Sequence, residues 1–207
     1  MPSRRSMLQE NEGCLFHLPL SFNGDLSDRV TGNVIELSGN GSMVWDATEG
    51  MYLITHPATV GQYVGRIWIG HYPYKFPLDS HTSIGQAKKK STSGSVSTPY
   101  CSTSVGSATQ IFYNASQNIA NYPASIVKSA VVINHQDQKR WFYQQGAFYR
   151  EYAEAATWLP SAWNIDGYIY FGYIASSAFY NTQYYIKDLY LFNRVLTAEE
   201  IYKIQGY

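Results

Sequence analysis

Alternation of apolar and polar side chains is the strongest pattern in this chain, and it is clearest over residues 184–192. Consecutive side chains of a strand point to opposite faces. The core face is predicted to carry four residues: Tyr185, Lys187, Leu189 and Leu191. A helix is predicted next, because Thr197 and Glu200 have the spacing of a capping box and Ile201 and Ile204 form an apolar stripe.

Further strands are predicted wherever apolar and β-branched runs lie between Gly, Pro and Asn residues. An opening run starts after Gly13, and the other predicted strands cover residues 34–37, 42–46, 51–55, 63–72, 110–114, 129–134, 140–144, 147–152 and 168–173. Residues 149–159 are also rich in Ala and Glu, which favour helix. We prefer strand and loop for them, and a helix there would be a surface insertion that leaves the fold unchanged.

Residues 80–109 interrupt this pattern with a run of Ser, Thr, Gly and Lys. Such a composition offers little apolar surface to bury. We therefore predict a long exposed loop, with room for one edge strand. Loops of this length serve either as passive insertions or as binding and assembly segments.

Composition supports a single large β domain. The chain has 207 residues, of which 45% are hydrophobic and 14% charged, and it contains 19 Tyr and 16 Gly. Aromatic residues suit strands and glycine suits turns. Residues 13–207 are predicted to form the domain, after a polar arm over residues 1–12.

Charge and hydropathy exclude two classes of partner. Basic and acidic residues number 15 each, so no net field attracts nucleic acid or an anionic membrane. No apolar run reaches the roughly 20 residues of a membrane helix, and the first residues lack the apolar core of a secretory signal. Cys14 and Cys101 could pair, but two cysteines do not make a disulfide scaffold, and free thiols are expected.

Several of these segments resemble laminin G-like domains of the concanavalin A-like jelly-roll superfamily. The closing strand and helix match the family at Phe192, Asn193, Arg194, Val195, Leu196, Thr197, Ala198, Glu199, Glu200 and Ile201. The opening strand and its turn match at Phe22, Asp28, Gly32 and Asn33, and a central hairpin matches at Tyr143 and Gly146. Residues 167–177 resemble the strand before the closing one. The resemblance implies an all-β fold: an antiparallel two-sheet β-sandwich with one short C-terminal helix.

The spacing of the acidic residues gives little support to an enzymatic function. Glycosidases of this broad fold place carboxylates on one face of a strand, two or four residues apart. Glu151 and Glu154 are three apart, as are Asp25 and Asp28. Glu199 and Glu200 belong to the helix start. We therefore expect no catalytic residues.

A metal site has one set of candidates. The five histidines lack the short spacings of transition-metal sites. The resemblance implies calcium as the ion to consider, since related modules bind it through Asp, Asn and backbone oxygens near a sheet rim. Asn23, Asp25 and Asp28 could supply such oxygens, although turns use the same residues. No other cofactor is expected.

Aromatic residues are the remaining candidates for ligand binding, because rings stack on apolar ligand faces while their polar atoms fix orientation. The candidate residues are Trp68, His71, Tyr72, Tyr74, Trp141, Trp158 and Trp163. Core packing would explain most aromatics in strands equally well.

These patterns predict a non-catalytic binding or adhesion module. Our first hypothesis is a bacteriophage virion surface protein, such as a capsid-decorating, fibre or tail component, that contacts glycan or another virion protein. The alternatives are a carbohydrate-binding module of a secreted bacterial protein and, less favoured, a glycoside hydrolase of the same fold. Either of the first two would act on a virion or an extracellular surface, and the sequence leaves a homo-oligomer open.

Overall fold

A computed structural model describes residues 12–57, 59, 61–68, 75–76, 80–90, 101–102, 110–112, 126–134, 136–137, 139–153, 163–164, 168–172 and 183–207. The strands are β1 Cys14–Leu18, β2 Glu36–Leu37, β3 Ser42–Asp46, β4 Met51–Thr55, β5 Gly65–Trp68, β6 Lys75–Phe76, β7 His81–Lys89, β8 Cys101–Ser102, β9 Gln110–Phe112, β10 Val127–Asn134, β11 Lys139–Gln144, β12 Ala147–Ala153, β13 Trp163–Asn164, β14 Tyr168–Phe171 and β15 Gln183–Phe192. The helix α1 is Ala198–Ile204. The ranges predicted for β3 and β4 are confirmed residue for residue.

Two antiparallel sheets form the body of the described structure. The large sheet has the order β12-β11-β10-β7-β15-β4-β3, with β1 also paired to β15. The small sheet has the order β2-β5-β14-β8-β9, and β6 and β13 form a separate pair. The predicted β-sandwich with one short C-terminal helix is confirmed.

The core lies between the two sheets. The large sheet contributes Phe16, Ile54 and Ile186, and the small sheet contributes Ile67 and Phe171, all fully buried in one cluster. Burying one such side chain contributes roughly 1.5–3 kcal/mol. The two inner faces therefore hold the sandwich together, and the outer faces are left for other contacts.

A second apolar cluster lies on the outer face of the large sheet, where α1 packs. Ile201 is fully buried there against a cluster that includes Ile84, Val132 and Phe192. The predicted capping box is confirmed, because Glu200 N donates to Thr197 Oγ1 at 3.2 Å and Thr197 N donates to Glu200 Oε2 at 2.8 Å.

The face prediction for the closing strand is wrong in its first half. Tyr184 and Ile186 line the inner core, in place of Tyr185 and Lys187. The cause is a bulge at Asp188, which has φ 56° and lies where the pairing with β7 shifts register. One extra residue exchanges the two faces of a strand. After the bulge the prediction is confirmed, because Leu189 and Leu191 are in the core.

The long loop predicted over residues 80–109 is wrong for residues 81–89. These residues form β7, which lies between β10 and β15 in the interior of the large sheet. Small polar side chains are buried there because they bond to neighbouring backbone: Thr82 Oγ1 donates to Arg194 O at 2.8 Å and accepts from Leu196 N at 3.0 Å. Of the rest, residues 101–102 form β8, and 91–100 and 103–109 lie outside the described residues.

The strand preferred for residues 147–152 is confirmed, since β12 continues to Ala153. Residues 154–159 of the helical alternative, and residues 1–11 of the predicted arm, lie outside the described residues.

Cys14 carries a free thiol, and burial raises its pKa to about 11. The described part of the chain contains no helix that is both long and apolar enough to cross a membrane.

Candidate functional site

The predicted binding aromatics divide into two groups. The structure describes the side chains of Trp68 and Trp141, which lie on different sheets. The other five are outside the residues whose side chains are described: His71, Tyr72, Tyr74, Trp158 and Trp163. Trp163 has a described backbone only, in β13.

Asp28, a candidate calcium ligand, closes the loop after β1. Its side chain is 1% exposed, and Oδ1 accepts hydrogen bonds from His17 N at 2.8 Å and Val30 N at 3.1 Å. Oδ2 accepts from Thr31 N at 3.0 Å and Thr31 Oγ1 at 2.6 Å. A calcium ion would have to displace these donors.

The other two calcium candidates lie in the same loop. Asp25 is buried, accepts from Ser21 N at 2.9 Å and pairs with Arg29. Asn23 is exposed. Within the described ranges, no group of three or more His, Cys, Asp and Glu side chains could hold a metal ion. The hydrogen bonds give Asp25 and Asp28 a role in loop closure, and calcium binding stays a prediction.

Trp141 lies on the outer face of the large sheet, beside the cluster that α1 covers. Its indole Nε1 donates to Glu151 Oε2 at 2.7 Å, and Lys139 pairs with Glu151 at 3.2 Å. The bond from Trp141, followed by the contact with Lys139, lowers the pKa of the Glu151 carboxyl. Glu151 is thus an ionised, engaged carboxylate that is unsuited to donate a proton.

Three strongly exposed aromatic residues surround the turn between β11 and β12. Phe148 is 57% exposed, Tyr202 47% and Tyr207 45%. We call Phe148, Tyr202 and Tyr207 the hairpin surface. The ring of Phe148 lies 5.8 Å from that of Tyr143, and the rings of Tyr202 and Tyr207 are 5.4 Å apart. Exposed rings gathered at one place are typical of recognition surfaces.

The turn beneath the hairpin surface holds these rings in position. Gln145 and Gly146 both have positive φ, 52° and 77°. Gly146 N donates to Gln205 Oε1 at 2.9 Å, and Tyr207 OH donates to Gln145 Oε1 at 2.5 Å. A Cβ at Gly146 would come within 2.8 Å of ring atoms of Tyr202 and Tyr207, so only glycine fits beneath them.

Sequence reasoning missed all three residues of the hairpin surface. Tyr202 carried a usable signal, because it directly follows Ile201 and so falls off the apolar stripe of the helix. Phe148 did not, since alternation alone does not tell which face of an edge strand is covered.

Trp68 belongs to a second aromatic surface, on the outer face of the small sheet. Ile67 points into the core, so Arg66 and Trp68 point outward. On the neighbouring strand Tyr168 and Tyr170 lie opposite Trp68 and Arg66. We call these four residues the Trp68 surface, of which Tyr170 is buried and the other three are partly exposed.

Comparison with solved structures shows similarity to receptor-binding domains of botulinum neurotoxins. A serotype D binding domain superposes with a TM-score of 0.62 at 11% identity, over 97% of this chain and 52% of that one. A type C structure, described with the dependence of cell entry on two ganglioside molecules, has a TM-score of 0.67 at 13% identity over 97% and 52%. A DC binding domain in complex with rat synaptotagmin II has a TM-score of 0.63 at 12% identity over 95% and 52%.

The likeness establishes the fold alone. Identities of 11–13% are too low to carry residues or ligands across, and this chain spans about half the length of those domains. No protein-family model and no curated protein matches the sequence. The laminin G-like assignment stays a prediction within a confirmed antiparallel β-sandwich.

Proposed function

We propose that this chain is a non-catalytic recognition module that binds glycan through the hairpin surface. The observation that carries the proposal is the exposure of Phe148, Tyr202 and Tyr207 around one rigid turn. Large aromatic side chains left in water by an otherwise well-packed sandwich favour a surface that a ligand covers.

The chemistry of this surface suits a sugar. Aromatic faces pack on the C–H faces of a pyranose, and tyrosine adds a polar end to an apolar ring. Lys128 Nζ lies 4.6 Å from the centre of the Tyr207 ring and Gln145 bonds to its hydroxyl, so polar groups stand beside the rings. Because the turn already orders these residues, binding costs little additional side-chain entropy.

Two further observations agree with binding without chemistry. The described carboxylate nearest Phe148 in sequence, Glu151, is held by Trp141 and Lys139. The Cys14 thiol has a raised pKa and is a poor nucleophile at neutral pH. Similarity in fold to toxin domains described with gangliosides is compatible with glycan as the ligand class.

Replacement of Phe148 or Tyr202 by alanine is expected to weaken glycan binding roughly tenfold each, because each ring supplies central contact area. Phe22→Ala is the matched control, since Phe22 is 58% exposed on a different loop. A glycan array with the wild type identifies the ligand, and calorimetry compares the three variants.

Equal affinities of F148A, Y202A and F22A for a confirmed glycan would contradict the hairpin surface as the site. The candidates His71, Tyr72, Tyr74, Trp158 and Trp163 would then be tested as the next aromatic set. A wild type that binds no glycan but captures a defined protein through Phe148 and Tyr202 would favour the second candidate function, protein–protein contact, which uses exposed aromatics in the same way.

As its biological setting we propose the surface of a bacteriophage particle, with the module acting as a decoration, fibre or tail component. Low charge and an abundance of Tyr, Gly, Ser and Asn suit an exposed virion protein. Mass spectrometry of purified particles is expected to detect the protein. Its absence from particles, together with glycan binding, would favour a carbohydrate-binding module of a secreted bacterial protein.

A further inference from the structure

The Trp68 surface lies on the opposite side of the sandwich from the hairpin surface. It occupies the outer face of the small sheet, whereas α1 and the β11–β12 turn belong to the large sheet. A ligand at one surface therefore leaves the other free, and the two can be tested independently.

Four rings follow one another across this surface. Trp68 packs edge-on against Tyr168 at 4.9 Å between ring centres, Tyr168 lies 6.1 Å from Tyr170, and Tyr170 lies 5.0 Å from Tyr63. Trp68 and Tyr168 are half-buried, so part of each residue is exposed. The chain of rings gives Trp68 a rigid support.

Arg66 is fixed beside these rings by two contacts. Its Nε donates to Glu36 Oε2 at 2.8 Å, and its guanidinium carbon lies 4.4 Å from the centre of the Tyr168 ring. The bond with Glu36 raises the pKa of Arg66, which stays charged at any working pH. Among the described residues Glu36 is its only ion-pair partner, and the pair uses Nε.

This arrangement determines which edge of the guanidinium is available. A guanidinium is a planar fork with five N–H donors, and two parallel donors on one edge bind a carboxylate bidentately. With Nε taken by Glu36 and one face against Tyr168, the edge formed by the two Nη atoms is the one left for a ligand. A ligand carboxylate at this edge can bind Arg66 without breaking the ion pair between Arg66 and Glu36.

We infer that the Trp68 surface is a second ligand site, selective for a carboxylate-bearing pyranose whose ring packs on Trp68 and whose carboxylate binds Arg66. Arg66 and Trp68 are two residues apart on the same face of β5, which is about 7 Å along a strand. The carboxylate oxygens of a hexuronic acid lie about 4 Å from the centre of its ring and a charge-assisted hydrogen bond adds about 2.8 Å, so the ligand and this bond together span that distance. A neutral hexose would make only the ring contact.

The test uses a matched pair of probes, methyl β-glucopyranoside and methyl β-glucopyranosiduronic acid, which differ only by replacement of the hydroxymethyl group with carboxylate. The protein carries F148A and Y202A together, each of which is expected to weaken binding at the hairpin surface roughly tenfold, so that this surface contributes little. NMR titration is expected to show roughly tenfold tighter binding of the uronic acid, because a charge-assisted bidentate bond is added.

Arg66→Gln is expected to abolish this preference while leaving the weak binding of the neutral glucoside. Arg66→Lys is expected to retain only part of it, since an ammonium lacks the planar fork. Lys203→Gln is the control: it removes one exposed positive charge from α1, on the other side of the sandwich, and is expected to retain the full preference.

Equal affinities of the two probes, or a preference that survives R66Q, would overturn the inference, as would the absence of binding to both probes. None of these results bears on the hairpin surface, because F148A and Y202A together have already weakened binding there. Failure of the proposed function is seen separately, as equal glycan affinities of F148A, Y202A and F22A on the otherwise unmodified chain.

Discussion

Asp28→Ala is expected to lower the free energy of unfolding by about 3–5 kcal/mol, since it leaves several buried hydrogen-bond donors without an acceptor. Asp28 is almost fully buried and accepts from the backbone amides of His17, Val30 and Thr31. Loss of these bonds frees the loop from β1. Urea denaturation followed by circular dichroism measures the change.

Asp137→Ala serves as the control, because Asp137 is an exposed turn residue whose carboxylate meets only Asn134 among its described contacts. Its effect is expected to stay within about 0.5 kcal/mol. EDTA is expected to leave the wild-type stability unchanged, in agreement with loop closure by hydrogen bonds. A gain in wild-type stability on addition of CaCl₂, absent from D28A, would support the calcium prediction instead.

Acidification from pH 6.5 to pH 4 is expected to destabilise the protein through His56. The ring is 2% exposed, lies 5.3 Å from the ring of Tyr184, and neither of its nitrogens has a hydrogen-bond partner in the described structure. Burial lowers the pKa of His56 from 6.5 to about 4. The unfolded chain therefore binds a proton in this window that the folded protein does not bind.

The direction and the size of the stability change follow from the difference between the pKa of His56 in the unfolded and in the folded protein. Above pH 6.5 His56 is neutral in both the folded and the unfolded state, so it does not make the stability depend on pH. As the pH falls below 6.5 the free energy of unfolding decreases, and it levels off near pH 4. The full pKa difference corresponds to about 3 kcal/mol. His56→Leu is expected to flatten the curve between pH 6.5 and 4, because leucine neither titrates nor buries unpaired nitrogens.

Denaturation of the wild type and H56L at several pH values tests this expectation, with stability at pH 7.5 as the check that the variant folds. The carboxyls with lowered pKa, among them Asp46 and Glu151, lose their contribution only as the pH falls through their unfolded values of 3.8 and 4.5, so the change between pH 6.5 and about 5 is assigned to His56. An NMR titration in which the His56 ring protonates near pH 6.5 in the folded protein would contradict the prediction.

Local signals were enough to predict the elements at the end of the chain. Alternation predicts β15, and the reciprocal bonds of Thr197 and Glu200 need only residues three apart. β7 could not be predicted in this way, because its Ser, Thr and Gly residues are ordered by pairing with β10 and β15, which are distant in sequence. The bulge at Asp188 is likewise a property of the paired sheet.

The candidate sites also combine features that local sequence predicts with features that depend on the folded sheets. Sequence indicated Trp68 and Trp141, because tryptophan is conspicuous, but it could not place Trp68 beside Arg66 and Tyr168, which depends on the register of β5 and β14. Tyr202 and Tyr207 reach the β11–β12 turn, two residues before Phe148, only when α1 docks there. Exposure is decided by which elements cover each face, and local patterns do not contain that information.

The position of β15 has a consequence for how the polypeptide acquires its structure during synthesis. β15 separates β4 from β7 in the large sheet, although β4 is made from residues 51–55 and β15 from residues 183–192. Until residues 183–192 have left the ribosome, β4 and β7 both lack the neighbouring strand that β15 provides. The nascent chain is therefore expected to expose unpaired strand edges until β15 is complete, and such edges are prone to aggregation.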